Sequence, residues 1–192
     1  MGRRILIING HPDASPGRLC SALADAYAEG ARAGGHLLRR LDVAELNLPL
    51  IRSRAEFEGK VIPPAAADAQ AAITWAEHIV IILPLWLGGA PALLKGFFEQ
   101  VFRYGFALPA GGKKLGGLLK GRSAHLVITM GMPAVAYRVV FGAAGVKAIE
   151  RGVLWLSGIS PIRRTLLGMV EENPGHHQAW LTRMRRLGKA AA

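Results

Sequence analysis

Five short apolar runs, separated by longer segments of helical periodicity, constrain the fold of this 192-residue chain more than any other feature. Two of the runs, residues 4–9 (RILIIN) and 78–84 (HIVIILP), are apolar at nearly every position, as expected for strands buried on both faces. The other three are residues 36–43, 123–130 and 161–168. Strands that alternate with helices favour a parallel sheet with helices on both faces. We therefore predict an α/β fold and a single domain over residues 1–192.

The segments between the runs predict the helices. They are residues 17–34, an alanine-rich stretch ending near residue 77, the segment after the third strand, residues 145–156 and residues 174–187. In the segment after the third strand, the apolar positions 93, 94, 97, 98, 101 and 102 share one helical face. Lys95, Glu99 and Arg103 fall opposite, so this helix is expected to pack on the sheet. Residues 44–64 and 105–121 are predicted to be connections.

Several classes of protein are excluded by hydropathy and by the cysteine and histidine content. No uninterrupted apolar run approaches the roughly 20 residues that span a bilayer, and the N-terminus does not read as a signal peptide, so we expect a cytoplasmic protein. The single cysteine, Cys20, rules out an intramolecular disulfide and a cysteine-cluster metal site, and its spacing predicts a packed core thiol. His176 and His177 would point about 100° apart on a helix, so we expect no metal site there.

The net charge of +11 predicts a basic surface. Its arginines are dispersed in short pairs, with no long basic tract and no interleaved aromatic residues, so we expect no nucleic-acid partner. A positive field would still favour the phosphate groups of a cofactor.

In open parallel sheets, ligands bind beyond the carboxyl ends of the strands, which directs attention to the loops after the first, third and fourth strands. The first loop, NGHPDASPGR, has neither the G-x-G-x-x-G nor the Walker pattern, which argues against a Rossmann dinucleotide site and a nucleotide hydrolase. It brings His11, Ser15 and a helix N-terminus near one point, as a phosphate site requires. A tight turn with a surface histidine explains these residues equally well.

The loop after the third strand, PLWLGGAP, combines glycines with a large aromatic residue. Gly88 and Gly89 remove side chains, so that backbone N–H groups can approach a flat ligand. Trp86 and Leu87 would supply apolar contact beside it. A simple strand-to-helix turn with Trp86 packed inward is the alternative.

The loop after the fourth strand, TMGMP, repeats this logic. Thr129 offers a hydroxyl, Gly131 a bare amide, and Tyr137 a phenol. Each loop alone could be a structural turn. Three such loops at one edge of a sheet predict a slot for a planar, phosphate-bearing cofactor.

Four segments in order along the chain resemble the flavodoxin-fold NAD(P)H:quinone oxidoreductases, a family that includes the DT-diaphorase type, the modulator-of-drug-activity type and the ancillary reductases of potassium-efflux systems. They are NGHPDASPGRLCSAL, PLWLGGAPALLKGFFEQVF, ITMGMPAVAY and GVKAIERGVLWLSGISPIRRTLLGM. The resemblance implies a flavodoxin-like fold, with five parallel strands in the order 2-1-3-4-5. It also implies a homodimeric enzyme that transfers hydride from NAD(P)H through flavin N5 to a quinone or similar acceptor.

The resemblance implies roles for individual residues as well. His11 and the stretch Arg18, Leu19 and Cys20 would hold the flavin phosphate, beside the Ser15 that the loop pattern already places there. Pro84, Leu85, Trp86, Leu87 and Gly88 would line the isoalloxazine ring, with Thr129, Met130 and Gly131 along its pyrimidine edge. Tyr137 would assist hydride transfer as the catalytic residue.

The sequence departs from the family pattern at three places. Ala143 and Ala144 stand where the quinone reductases carry a histidine that helps to take up charge. Leu108 and Ala110 stand nearest to the lid tyrosines of the DT-diaphorase type, so acceptor specificity should differ. Arg18 stands where a serine is common, so phosphate recognition should depend on charge instead of a hydroxyl.

Two alternatives to an enzyme stay open. One is a one-electron carrier of the flavodoxin type, although its acidic surface and Ser/Thr-rich phosphate loop are missing here. The other is a regulatory subunit of a membrane transporter such as a potassium-efflux system, which the missing histidine and the basic surface keep open. FMN and FAD fit the sequence equally, as do NADH and NADPH, although Arg163 and Arg164 could favour a 2′-phosphate.

Overall fold

A computed structural model describes residues 2–59, 61–110, 116–172 and 175–192. Its strands are β1 (Arg4–Asn9), β2 (Leu37–Asp42), β3 (His78–Pro84), β4 (Ser123–Thr129) and β5 (Ile162–Leu167). Its α-helices are α1 (Leu19–Ala33), α2 (Arg54–Glu58), α3 (Pro64–Trp75), α4 (Ala92–Val101), α5 (Ala134–Val139), α6 (Ala144–Ile149) and α7 (Gly175–Ala190). Part of the predicted connection at 105–121 and the predicted start of the last helix at residue 174 lie outside the described residues.

All five strands pair in parallel, in the order β2-β1-β3-β4-β5, which confirms the predicted fold. The strands end close to one another: Asn9 lies opposite Asp42 and Ile82, and Thr129 lies opposite Pro84 and Leu167, so β3 extends two residues beyond β1. Because the strands run in the same direction, their carboxyl ends form one edge of the sheet. The loops after β1, β3 and β4 therefore leave the sheet side by side.

The two faces of the sheet are covered by different helices, because side chains alternate along each strand. Ile5 and Ile7 of β1 belong to the cluster formed with α1 and α7. Leu6 and Ile8 belong to the cluster formed with α3, α4 and α6. The central strand β3 is buried at every residue, as its uninterrupted apolar run predicts. Among the described residues, no helix has both the length and the hydrophobicity needed to cross a bilayer.

The structure adds helices that periodicity does not reveal. A 3₁₀ turn at Val43–Glu45 begins at the last residue of the predicted second strand, and the predicted connection at 44–64 contains the helix α2. Ser53 caps α2, because its hydroxyl accepts a hydrogen bond from the N–H of Glu56. The Glu56 carboxylate reaches back and accepts from the Ser53 hydroxyl and from the N–H of Arg52. The six-residue α5 is too short to show a helical period. The helix predicted at 145–156 is observed as α6 followed by a π-helical segment, Glu150–Trp155.

Arg103 corrects the prediction for the amphipathic helix. The helix α4 ends at Val101, so Arg103 follows the last turn and does not lie on the solvent face with Lys95 and Glu99. Its side chain is buried, and its guanidinium donates to backbone carbonyls in the connection before α3, including those of Phe57 (3.3 Å) and Val61 (3.2 Å). These hydrogen bonds hold the connection before α3 against the end of α4.

Candidate functional site

The loops after β1, β3 and β4 are joined by direct contacts at the carboxyl edge of the sheet. The N–H of Gly10 donates to the carbonyl of Ile82 at 2.7 Å, which ties the first loop to β3. The N–H of Leu85 donates to the carbonyl of Thr129 at 2.7 Å, which ties the end of β3 to β4. The ring of His11 lies edge-on to Trp86, with centroids 6.2 Å apart. The loops that the sequence singles out therefore form one continuous surface.

Residues 86–89 form a tight hairpin turn. The N–H of Trp86 donates to the carbonyl of Gly89 (3.0 Å), and the N–H of Gly89 donates back to the carbonyl of Trp86 (2.9 Å). The two central residues, Leu87 and Gly88, have φ angles of +47° and +79°. This left-handed pair is what a type I′ turn requires. Glycine adopts it freely, but for Leu87 it costs about 1–3 kcal/mol, a strain that persists only where the surroundings fix the backbone.

The turn presents an apolar wall and two backbone donors to solvent. Trp86 is 51% exposed and Leu87 is fully exposed, which rules out the alternative of an inward-packed tryptophan. Within the part of the chain that the structure describes, the N–H groups of Leu87 and Gly88 have no hydrogen-bond acceptor. Pro84 is buried and Leu85 is half-buried, so they support the base of the turn. Two open amides can donate to the polar edge of a flat ring, and an exposed indole beside them can pack against its face.

The structure places Tyr137 behind this turn. Its side chain is completely buried, and its hydroxyl donates to the carbonyl of Gly88 at 3.0 Å and accepts from the N–H of Val146 at 3.3 Å. This corrects the expectation of a phenol open to the slot, because α5 directs the ring inward, where both functions of the hydroxyl are occupied by the protein.

The loop after β4 offers less than its sequence predicts. The hydroxyl of Thr129 is buried and lies 3.5 Å from Sγ of Cys20, and the N–H of Met130 donates to the carbonyl of Leu167 at 2.9 Å. Gly131 alone of the three predicted contacts is exposed, with open space above its Cα. Burial raises the pKa of the Cys20 thiol to about 11, so the thiol stays protonated and unreactive, which confirms the predicted core thiol.

Asp13 organises the loop after β1. Its carboxylate accepts from the N–H of Ser15 at 2.8 Å and pairs with the guanidinium of Arg18. Hydrogen bonds from Ser15, and after them the contact with Arg18, lower the pKa of Asp13 to about 2. The N–H of Asp13 donates to Nδ1 of His11 at 3.1 Å, so the imidazole folds back over its own loop and does not project freely. The donors predicted for a phosphate are therefore bound to Asp13 in this structure.

The helix α1 begins at Leu19 without a side-chain cap. Arg18 occupies the cap position but makes no capping hydrogen bond, and the first turn contains no acidic residue. A cavity of about 290 Å³ lies beside this helix end, and its other wall carries Arg40 paired with Asp25 and Asp42. The uncapped amides and the positive end of a 15-residue helix suit an anionic group.

The histidine pair near the C-terminus has a structural role. Nε2 of His177 lies 2.8 Å from the carbonyl of Val170, and the imidazole stacks on Trp180. His176 contacts the same indole edge-on. Over the described ranges, no three His, Cys, Asp or Glu side chains are grouped as a metal site would require.

A doubly wound α/β sheet with loops converging at the strand-order switch point defines the class of α/β proteins that bind their ligands at the carboxyl edge. A family model described as "Flavodoxin-like fold" matches residues 3–187, and the chain belongs to that family. It is 31% identical, over 138 residues, to an uncharacterized NAD(P)H oxidoreductase of Haemophilus influenzae, a match that covers 69% of this chain and 67% of that protein.

Two solved structures show the same fold. An NAD(P)H:quinone oxidoreductase from Methanothermobacter marburgensis superposes with a TM-score of 0.82 at 22% identity, covering 100% of this chain and 98% of the other. An FMN-dependent NADH-azoreductase from Bacillus anthracis, solved in complex with FMN, superposes with a TM-score of 0.77 at 14% identity, covering 99% of each chain.

Sequence reasoning misses two residues that shape the site. A Cβ built on Gly145, at the start of α6, would lie 2.0 Å from the carbonyl oxygen of Gly88, so only glycine lets the helix approach the turn. A glycine inside a predicted helix is a signal of such close approach. The role of Asp13 could also have been predicted from the sequence. An Asp in a loop often accepts a hydrogen bond from the backbone N–H two residues later, here that of Ser15.

Proposed function

We propose that the protein is a flavin-dependent NAD(P)H oxidoreductase of the quinone-reductase type. In the overall reaction, NAD(P)H, a proton and a quinone or similar acceptor give NAD(P)⁺ and the hydroquinone. Membership of the flavodoxin-like family and the similarity to an NAD(P)H oxidoreductase support this proposal. The observation that carries it is the turn at 86–89, which holds two open amides and an exposed indole at the carboxyl edge of the sheet.

The turn is suited to the ring of a flavin. When bound, the flavin would accept hydride from the nicotinamide and pass two electrons to the acceptor. The N–H groups of Leu87 and Gly88 would face its polar edge, Trp86 would lie against its apolar part, and Pro84 and Leu85 would support the wall. Donors fixed in advance by a rigid turn stabilise developing negative charge well, because they need no reorganisation.

The loop after β1 and the start of α1 are suited to the phosphate. The uncapped amides that follow Arg18 would bind it, with His11 at the edge of the loop beside Trp86. Ser15 and Arg18 would join only by exchanging the Asp13 carboxylate for the phosphate. Leu19 and Cys20 would contribute backbone amides only, since the Cys20 side chain is buried.

At the other end of the slot, Gly131 would provide the exposed contact with the pyrimidine edge. Thr129 and Met130 would act through the packing that places this loop, since both are buried and their polar groups are partly used internally. Ala143 has no polar side-chain group, so at this position no side chain would help the backbone donors to take up the charge.

The proposal includes a homodimer in the cytoplasm and either FMN or FAD as the flavin. The azoreductase complex shows a protein of the same fold with FMN. Arg163 and Arg164 are not assigned to a nicotinamide 2′-phosphate, because they pair with His125 and Leu126 in the first half of the strands, away from the carboxyl edge. Among the residues that the structure describes, no feature favours the regulatory alternative over the enzyme.

Anaerobic spectroscopy tests the proposed function. Purified protein is mixed with FMN or FAD, and NADH or NADPH is then added, followed by a benzoquinone. We expect the bound-flavin band at about 450 nm to bleach in one two-electron step and to return with the quinone. Failure to bind either flavin, or binding without reduction, would refute the proposal.

Gly88→Val tests the assigned slot in the same experiment. The valine would have to adopt a φ near +79°, which a β-branched residue tolerates poorly, so the turn should open and bound flavin should be lost. Gly89→Ala is the matched control, because Gly89 does not have a positive φ and nothing lies within 4 Å of its built Cβ. Normal flavin content in Gly88→Val would remove the turn from the site.

A further inference from the structure

The buried side chain of Tyr137 connects the loops after β3 and β4. Phe141 stacks on its ring, with centroids 6.3 Å apart and planes 29° apart, and the tyrosine side chain has no exposed surface. Its hydroxyl donates to the carbonyl of Gly88 and accepts from the N–H of Val146, which belongs to α6. A hydroxyl on a buried ring that both donates and accepts a hydrogen bond within the protein is costly to release toward a ligand.

The carbonyl of Gly88 is enclosed between two elements. The hydroxyl of Tyr137 approaches it at 3.0 Å, and the backbone of Gly145 approaches so closely that a Cβ there would lie 2.0 Å from the oxygen. This carbonyl belongs to the left-handed part of the turn, next to Leu87 with its φ of +47°. Strain at an exposed leucine persists only if the neighbouring backbone cannot relax.

We infer that Tyr137 is a positioning residue: its hydroxyl holds the Gly88 carbonyl, and with it the strained Leu87–Gly88 turn, and does not contact the reacting groups. The inference rests on the proposed function in one respect, because it takes the turn to be the surface that binds the flavin ring. It replaces the direct part in hydride transfer that the family resemblance implies for this tyrosine. Tyr137 then affects how well the flavin ring is bound, and not how fast a bound flavin is reduced.

Amide hydrogen exchange of the flavin-free protein tests the contact without any cofactor. The reporters are the N–H groups of Trp86 and Gly89, which donate to each other's carbonyls across the turn. In Tyr137→Phe, we expect both to exchange about fivefold faster, the effect of one net hydrogen bond. Tyr104→Phe is the matched control, because it removes a phenol from a half-buried ring outside the turn and should leave both rates unchanged.

Flavin titration and anaerobic reduction then distinguish positioning from catalysis. For Tyr137→Phe, we expect the flavin dissociation constant to rise about fivefold, while the rate of reduction of bound flavin stays within about twofold of wild type. A residue that only stabilised the fold would change neither quantity. An unchanged dissociation constant with reduction slowed more than about tenfold would show direct participation in catalysis and overturn the inference.

Failure of the inference and failure of the proposed function give different results. If the wild-type protein binds no flavin, the proposed function fails, and the exchange rates alone decide whether Tyr137 holds the turn. Unchanged exchange of Trp86 and Gly89 in Tyr137→Phe overturns the inference whatever the flavin does. If that variant does not fold, Gly145→Ala displaces the same carbonyl from the other side, and it should accelerate exchange of the same two amides.

Discussion

The turn after β3 and the loop after β1 lie side by side at one edge of the sheet, yet different forces hold them. The turn is fixed by uncharged contacts with the buried side chain of Tyr137 and with the backbone of Gly145. The loop is fixed by the Asp13–Arg18 pair, whose side chains are 37% and 49% exposed. Exposed ion pairs contribute little and are screened by salt, whereas contacts between uncharged groups are not screened.

This difference predicts how a ligand would be received. The turn is formed before any ligand arrives, because its geometry depends on contacts within the protein: the hydrogen bonds between Trp86 and Gly89, the Tyr137 hydroxyl and the close approach of Gly145. The loop can exchange its internal carboxylate for an external anion, because Ser15 and Arg18 are at the surface. A flavin would therefore meet a rigid surface at its ring and an adaptable one at its phosphate.

Gly145→Val should have the largest effect, because it directly disrupts the close approach of Gly145 to the Gly88 carbonyl. The added side chain would collide with the Gly88 carbonyl, and we expect the free energy of unfolding to fall by about 3 kcal/mol, the upper end for over-packing. Denaturant unfolding measures this loss. Gly152→Ala is the control, because nothing lies within 4 Å of a Cβ built there. An unfolding midpoint unchanged in Gly145→Val would mean that the turn is held by other contacts.

Leu87→Asn should have a smaller effect than Gly145→Val. It should raise the stability of the protein and lower its affinity for flavin. Asparagine followed by glycine is the preferred pair for a type I′ turn, so the variant should be more stable by up to about 1 kcal/mol. Loss of the exposed apolar side chain should at the same time weaken flavin binding. Thermal unfolding and flavin titration measure the two effects.

Leu118→Asn is the matched control for this variant, since Leu118 is 52% exposed without a positive φ. It should neither stabilise the protein nor change flavin affinity. If Leu87→Asn were destabilising, the strain assigned to Leu87 would be absent.

Asp13→Asn should have the smallest effect and should not change global stability measurably. Because the pKa of Asp13 is lowered to about 2, its stabilising contacts are fully present above its ordinary value of 3.8 and are lost as the pH falls toward 2. Removing the charge frees Arg18, so FMN should bind a few-fold more tightly at low salt, and the gain should shrink at high salt.

Asp68→Asn on α3 controls for the change in net charge alone. If Asp68→Asn raised the affinity for FMN as much as Asp13→Asn does, the overall positive field would govern FMN affinity, and not the exchange of the Asp13 carboxylate for phosphate. An NMR titration of the Asp13 carboxyl with a midpoint near its ordinary value of 3.8 would contradict the contacts assigned to the loop.

How well the sequence predicts a region depends on whether neighbouring or distant residues determine its conformation. The strands β1 and β3 are predicted to the residue, because an uninterrupted apolar run can only be buried on both faces. The three loops are predicted to meet, because parallel strands place their ends at one edge. These features depend on residues that are neighbours along the chain or on the direction of the strands.

The conformation of the site depends on residues distant in sequence, so periodicity does not reveal it. The left-handed Leu87 is maintained through a hydrogen bond between Gly88 and Tyr137, 49 residues apart. Arg103 is buried because a separate connection wraps around it, although its helical spacing points to solvent. The sequence predicts the residues of the slot, whereas tertiary contacts decide which of their polar groups are open to a ligand.

The most direct test of the central claim follows the backbone amides of Leu87 and Gly88 by NMR while FMN is added to the flavin-free protein. If the turn is a preformed surface for the flavin ring, these two resonances shift in proportion to bound flavin, while amides of α7 do not. The same titration with Gly88→Val should show neither shift nor binding. FMN that binds while the Leu87 and Gly88 resonances stay in place would contradict the account, because the flavin would then occupy a different site.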